Sequence, residues 1–595
     1  MLLFLKILNH MQPVNIHLAN ILQKILSTHF EVDHSFAQIQ KSDRPDLADY
    51  QTNCALVLAK QLKTNPRALA EQLIAHWPKD DPTHITIAGP GFINFKLTDQ
   101  QLVSTLNQQV SSTFTNQEVA NQTIVFDYGG PNVAKPMHVG HLRSSIIGEC
   151  LKRLYQFAGA KVIADIHLGD WGTQMGMLIV GLHQQHPDWP YFNQNHIGPY
   201  PQQSPITLAD LETLYPKISA ACKEDSDLAE KCRIATQELQ QGRPGYLALW
   251  QHFIDVSISA MKKEFNRLGV SFDCWFGESR YQEKLQPLVD LFRGKKVAEI
   301  CDGATIVEVE EPSDNKPMPP VILQKKDGGF LYATTDLATI DERIQDFKAD
   351  QIIYVVDNRQ ALHFEQIFRA AEKIGWHVPW TFVGFGTMNG PDGKPFKTRA
   401  GGVMKLKDLI DTLTATAKER LLNAERDHNF SDQERQQTAE QIGLAALKFA
   451  DLQHDPKQNY QFDIDKFMRF EGKTGPYLQY AAVRIKSLLA KADLNTEKTS
   501  LQLPSSVPNA ARDLLLHLIR LPEVLNETLK HNSPNILCEA AFQLAQAFSR
   551  FYNEAPVLTE TDSALKEFKL RLCQQTYKTL KVYLDIIGID IPARM

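Results

Sequence analysis

The stretch PNVAKPMHVGHLRSSIIG, residues 131–148, carries two imidazoles, His138 and His141, on either side of Gly140, with Lys135 just upstream. Metal-binding histidines on a helix sit four positions apart with a carboxylate nearby, as in HExxH. Here the spacing is three, and no Asp or Glu occurs between Asp127 and Glu149. The pair reads against a metal and toward a nucleotide. It follows an apolar strand, TIVFDYGG, and opens a long amphipathic segment, HLRSSIIGECLKRLYQFAG. Helix N-termini present free N–H groups and positive potential, which suit phosphate. Imidazole N–H donors there can stabilise the charge that develops when an α-phosphate is attacked. Gly140 would let an adenine or ribose approach the backbone closely.

A second segment, GFGTMNGPDGKPFKTRAGG at residues 384–402, sets Lys397, Thr398 and Arg399 among glycines after a strand. That composition suits a mobile phosphate clamp. Taken alone, FKTRAGG is more often a solvated turn.

The elements that must position these groups can be read from periodicity. Leu142, Ile146, Cys150, Leu154 and Phe157 form the stripe of an amphipathic helix. AKVIADIHLG reads as a strand and TQMGMLIVGLHQQ as a helix, so strand, helix and strand alternate and imply a parallel, doubly wound sheet. Residues 186–320 are Pro-rich at first and then strongly helical, and read as an insertion. The sheet is expected to resume near GGFLYATTDLATI, QIIYVV and WTFVGFG. Before the sheet, residues 1–115 read as a small α+β domain, with Gly89-Pro90-Gly91 as a turn between two strands. The catalytic unit is expected over 116–402 and a helical junction over 403–465. An all-α bundle follows over 466–595.

Composition narrows the class. A chain of 595 residues exceeds one hydrophobic core. Its eight cysteines are scattered with no CxxC, which argues against a structural zinc or a disulfide framework and fits a reduced, cytoplasmic setting. MLLFLKIL is too short for a membrane span and lacks a signal peptide's features. An ordinary amphipathic pattern begins just after Met11, a candidate start. The net charge of −6 gives no hint of nucleic acid. From Lys466 onward, however, 17 Lys and Arg face 13 Asp and Glu, a basic module on an acidic body.

The two nucleotide segments together resemble the paired His-Ile-Gly-His and Lys-Met-Ser-Lys-Ser signatures of class I aminoacyl-tRNA synthetases. With HLGDWGTQMGMLI, LYATTDLAT, YVVDNRQALHF, FEGKTGPYLQYAAVRI and the ending IGIDIPARM, the chain resembles the bacterial-type arginyl-tRNA synthetases over nearly its whole length. The resemblance implies a Rossmann-like catalytic domain, an N-terminal domain at the outer corner of tRNA(Arg) and an anticodon-binding bundle. ATP, accompanied by Mg2+, would activate L-arginine to arginyl-adenylate, which is then transferred to the terminal adenosine. Activation is expected to need bound tRNA. His138 and His141 would contact the phosphates. The later loop lacks its usual final lysine, and Lys135 would supply that charge beside Lys397, Thr398 and Arg399.

The resemblance also assigns the amino-acid pocket. Asp336 would hold the guanidinium, because a carboxylate pairs with it bidentately. Tyr332 would pack beside it, one helical turn away. Asp127 and Asn132 would take the α-amino and carboxylate ends, with Gln360 and Glu278 lining the pocket. Gly130 stands where the family often has serine. In the bundle, Tyr477, Tyr480, Arg484, Lys486, Arg550 and Tyr552 would stack on bases or pair with phosphates. A monomer, away from membranes, is expected.

Plainer readings stand beside these. Tyr332 and the bundle tyrosines could be core, Asp170 a helix cap and Trp171 packing. A small-molecule nucleotidyltransferase would share the histidine cradle but need no basic bundle. A non-catalytic RNA-binding relative would be expected to lose His138, His141 or Asp336.

Overall fold

The computed structural model describes residues 11–390, 392–394, 404–423, 430–492 and 500–595. At its centre lies a four-stranded parallel sheet of β1 (Thr123–Tyr128), β2 (Lys161–Asp165), β3 (Gln351–Asp357) and β4 (Trp380–Phe385), in the order β4-β3-β1-β2. Ile124, Val125, Phe126, Ile352, Ile353 and Val355 are fully buried, as a parallel sheet covered on both faces requires. The covering helices include α1 (Val139–Phe157), α2 (Thr173–Gln185), α3 (Tyr332–Gln345) and α4 (Ala361–Lys373). The strand order reverses between β1 and β3, the place where doubly wound sheets open a ligand crevice.

Two expectations change. GGFLYATTDLATI contributes no strand to the central sheet. It becomes α3, because Leu331 takes an extended N-cap conformation and the threonines after it turn helical. Thr339 Oγ1 donates to the Thr335 carbonyl (2.9 Å), absorbing a hydroxyl that would otherwise compete with the helix. The insertion is also not purely helical. Helices Leu208–Glu224, Ser226–Gln240 and Pro244–Arg267 are followed by an antiparallel sheet of Glu299–Cys301, Ala304–Val307 and Val321–Gln324.

The N-terminal region forms an antiparallel sheet in which His84–Ala88 and Phe92–Lys96 pair across a tight turn. Gly89 (φ 53°) and Gly91 (φ 143°) supply the left-handed backbone that the turn needs. This region is docked on the C-terminal helices. Arg512 Nη1 and Nη2 grip both oxygens of buried Asp49 (3.1 and 2.8 Å), and Tyr50 Oη donates to Glu523 (2.8 Å). From Leu406 onward the described chain is helical apart from Tyr460–Gln461, which pairs in parallel with Met388–Asn389. No helix among the described residues is long and apolar enough to cross a membrane.

Candidate active site

The crevice at the carboxyl ends of β1 and β3 holds a cavity of about 750 Å³. Asp127, Asn132, His138, Gly140, His141, Glu278, Tyr332, Asp336 and Gln360 all line it, although they come from segments more than 230 positions apart. Lys397, Thr398 and Arg399 lie outside the described residues. Their flanks do not. Val139 N–H donates to the Met404 carbonyl (3.1 Å) and Leu406 N–H to Met137 (3.0 Å), so the chain leaving the second nucleotide segment runs beside the histidine loop.

His138 is the N-cap of α1. Its Nδ1 accepts the Gly140 N–H (3.0 Å), and its own N–H donates to His141 Nδ1 (3.2 Å). The rings stack with centroids 3.9 Å apart. Both Nδ1 atoms therefore act as acceptors, which leaves the proton of each neutral ring on Nε2. Burial pushes both groups below the usual histidine range, and the Lys135 charge reinforces this; His141, beside His138, falls to about 3. The pair offers neutral N–H donors at a helix start. Gly140 has a more local reason than ligand approach: a Cβ there would stand 2.7 Å from His138 Cε1. Lys135 does not line the cavity. Its Nζ lies 4.6 Å from the centroid of the Tyr215 ring, on an insertion helix.

At the other end sit two carboxylates. Asp336 accepts from His363 Nε2 (2.6 Å), which orients it. Burial is the main cause that lifts the Glu278 carboxyl to about 7, and the charges of Asp170 and Asp336 add to it. Two carboxylates facing one cavity, the Glu278 carboxyl raised partly by the charge of Asp336, suit a cation. Tyr332 is 68% exposed at the rim, so it is no core residue. Asp170 does not cap α2, whose N-cap Gly172 makes no side-chain bond. It accepts instead from Ser279 N–H (2.9 Å) and Oγ (2.6 Å), fixing the backbone beside Glu278. Trp171 is a packing residue, edge-on to Trp250 at 5.1 Å and bonded to Gln282 (3.0 Å).

Between the two ends, Asp127 Oδ2 is held by Arg343 Nη2 (2.7 Å), which also reaches Asp165 (2.9 Å). Arg343 is fully buried, so these carboxylates are its counter-charges. Asn132 packs on Gly169, where a Cβ would meet its Oδ1 at 2.2 Å. Gly130 has φ 44° and open space around a hypothetical Cβ. Ser144 Oγ accepts from Gly129 N–H (2.8 Å) and donates to the Val355 carbonyl (2.7 Å), locking α1 to both strand ends. His167, Ser144, His363, Arg143 and Arg359 also line the cavity, and sequence reading missed them. The tripeptides around His167 and His363 carried a signal, since both lie in the segments that bear other pocket residues. Among the described residues, no group of three or more His, Cys, Asp or Glu side chains is placed to hold a metal ion.

In the bundle, Tyr477 Oη meets Ser549 Oγ (3.3 Å) and its ring is edge-on to Phe542. The Arg484 guanidinium stacks 4.1 Å from the Tyr552 ring centroid, and Arg550 pairs with Asp513 (2.6 Å). Tyr480 is half-buried and Lys486 exposed.

The family described as tRNA synthetases class I (R), catalytic domain, matches residues 101–464. The DALR anticodon binding domain matches 478–595, and the arginyl tRNA synthetase N terminal domain matches 14–97. An arginine–tRNA ligase of Alkaliphilus oremlandii is 44% identical over 570 residues, covering 95% of this chain and 96% of its own. One from Francisella tularensis subsp. novicida is 43% identical over 572 residues, covering 94% and 96%. The crystal structure of arginyl-tRNA synthetase from Plasmodium falciparum superposes with a TM-score of 0.84 at 26% identity, over 98% of this chain and all of that one. The Thermus thermophilus arginyl-tRNA synthetase shares the fold, with a TM-score of 0.81 at 20% identity over 98% of this chain and all of that one.

Proposed function

The chain belongs to the class I arginyl-tRNA synthetases, and from that premise we propose how its own residues divide the ATP-driven ligation of arginine to tRNA(Arg). His138 and His141 donate their Nε2–H groups to the ATP phosphates, where negative charge grows as the arginine carboxylate attacks the α-phosphorus. Glu278 and Asp336 take the guanidinium. Gln360 and Tyr332 close over the side chain, and Asn132 holds the carboxylate end. Asp127, with one oxygen held by Arg343, presents the other to the α-ammonium. The observation that carries this division is the polarity of one cavity: neutral N–H donors at one end, two opposed carboxylates at the other.

Lys135 joins the phosphates when it leaves the Tyr215 ring, a contact worth about 0.5–1 kcal/mol at exposed sites. Lys397, Thr398 and Arg399 of the second nucleotide segment add their donors to the same phosphates. Mg2+ accompanying the nucleotide would be held mainly by phosphate oxygens and water and would neutralise phosphate charge. The bundle takes the anticodon arm through Tyr480, Lys486 and the Arg484–Tyr552 stack, with Tyr477 and Arg550 at its margin. The N-terminal domain takes the outer corner. The enzyme works as a monomer in the cytoplasm.

Arginine-dependent ATP–pyrophosphate exchange tests the division, run with and without tRNA. His141→Ala should lower exchange by about a hundredfold to a thousandfold while arginine still binds. An active His141→Ala enzyme would remove the cradle from the mechanism.

A further inference from the structure

Arg143 follows His141 by two positions on α1, yet it points away from solvent. It is 2% exposed and lines the floor of the cavity. Its Nε donates to Asp451 Oδ2 (3.0 Å), an aspartate itself fully buried and 308 positions away. Its Nη1 donates to the Gln458 carbonyl (2.8 Å), and the guanidinium lies 5.1 Å from the Tyr460 ring centroid. Nη2 has no protein partner among the described residues.

The segment gripped in this way holds another. Gly386 N–H donates to the Pro456 carbonyl (2.9 Å) and Thr387 N–H to Asn459 Oδ1 (2.7 Å). Tyr460 N–H donates to Thr387 (3.1 Å) and Phe462 N–H to Asn389 (2.8 Å). Residues 386–389 lie near the start of the second nucleotide segment, ahead of Lys397. The chain leaving that segment is already bonded to the histidine loop at Val139 and Leu406.

We infer that Arg143 is a positioning residue that fixes the incoming strand of the second nucleotide loop in register with the imidazole cradle. α1 then anchors both ends of that loop: the outgoing end through the backbone beside His138, the incoming end through the guanidinium of Arg143. A buried ion pair gives no more stability than apolar packing of the same volume, but it is directional. Its planar fork fixes two partners in one set geometry, whereas a lysine's ammonium sits on a flexible stem and fixes no such geometry. The inference rests on the cradle reading above.

The test uses the full chain with tRNA(Arg), and compares Arg143→Lys, Asp451→Asn and His141→Ala. Arginine binding is measured by calorimetry, thermal unfolding by circular dichroism, and kcat and the KM for ATP by pyrophosphate exchange. Arg143→Lys keeps the charge opposite Asp451 but loses the fork. It should fold, bind arginine within about twofold of the parent, and lose about a hundredfold in kcat/KM for ATP, the cost of misplacing reacting groups by an ångström. Asp451→Asn should lose activity in the same direction without loss of arginine binding. A purely structural role predicts that lysine restores activity together with folding. A folded Arg143→Lys or Asp451→Asn enzyme with the parent's kcat/KM for ATP would overturn the inference. So would loss of arginine binding in step with turnover. If His141→Ala keeps its activity, the cradle reading itself fails; if only His141→Ala is impaired, the positioning role alone fails.

Discussion

With Glu278 taking the guanidinium as proposed, its raised carboxyl should make arginine binding a proton-releasing reaction. At a pKa of about 7, the group is half protonated at pH 7 in the free enzyme. A guanidinium stays charged throughout and pairs with the carboxylate form only. Arginine therefore competes with a proton for Glu278. At pH 6 about a tenth of the enzyme carries the ionised group, and at pH 8 about nine-tenths does. The dissociation constant should fall by about tenfold from pH 6 to pH 8, ~1.4 kcal/mol. About half a proton should leave per arginine bound at pH 7. Calorimetry in buffers of different ionisation enthalpy reads both quantities. His167 and His363 face the same cavity, so Glu278→Gln is the necessary comparison: it should bind more weakly at pH 8 and lose most of the pH dependence. A parent enzyme whose affinity is flat between pH 6 and 8, with no proton released, would refute the reasoning. A Glu278→Gln enzyme with an unchanged slope would refute it equally.

Two further outcomes test other parts of the structure. Gly140→Ala puts a methyl where the His138 ring lies, 2.7 Å from Cε1, in a helix turn that otherwise tolerates alanine. Pyrophosphate exchange should fall at least about tenfold with little change in thermal unfolding, and parent-like exchange would show that the ring is not held where the cradle needs it. Asp49→Ala strips the buried counter-charge from Arg512 at the contact between the N-terminal sheet and the bundle. Arg512 keeps Asp99 at 3.3 Å, so denaturant unfolding should show a loss of roughly 1–3 kcal/mol, and a change under about 0.5 kcal/mol would mean that the contact contributes little to docking.

Local pattern and long-range charge differ in how legible they were. β1, α1, β2 and α2 were readable because each is an uninterrupted run of one periodicity, and the Gly89–Gly91 turn announced its hairpin. The antiparallel sheet inside the insertion was missed because its strands are three or four residues long, too short to show a period. Its one clear signal was Asp302-Gly303, whose φ values of 51° and 84° are those of a tight hairpin turn. α3 misled because its threonines favour strands in isolation, while tertiary contacts absorb them: Thr334 Oγ1 donates to the Leu323 carbonyl. In the site, His138, His141 and the acidic pocket residues could be found from motifs. The Arg343–Asp127–Asp165 cluster could not. Its members are 216 and 178 positions apart, and nothing in a linear pattern distinguishes a buried arginine from an exposed one. The same holds for Arg143 and Asp451.

The spacing of the histidines now has a physical cause. Positions three apart at a helix start are the N-cap and N3 of a capping box, in which each side chain accepts a backbone N–H from the other's end. Imidazole fills that role only through a lone pair, and here Nδ1 of both rings supplies it. A metal would need the lone pair on Nε2 instead. That tautomer would put a proton on each Nδ1, facing the backbone N–H of Gly140 and of His138, donor against donor. The hydrogen bonds that start α1 thus oppose ligation by this pair and favour the tautomer that leaves both Nε2–H groups as donors. Gly140 belongs to the same argument, because the cap closes only if nothing but hydrogen stands between the first ring and the helix.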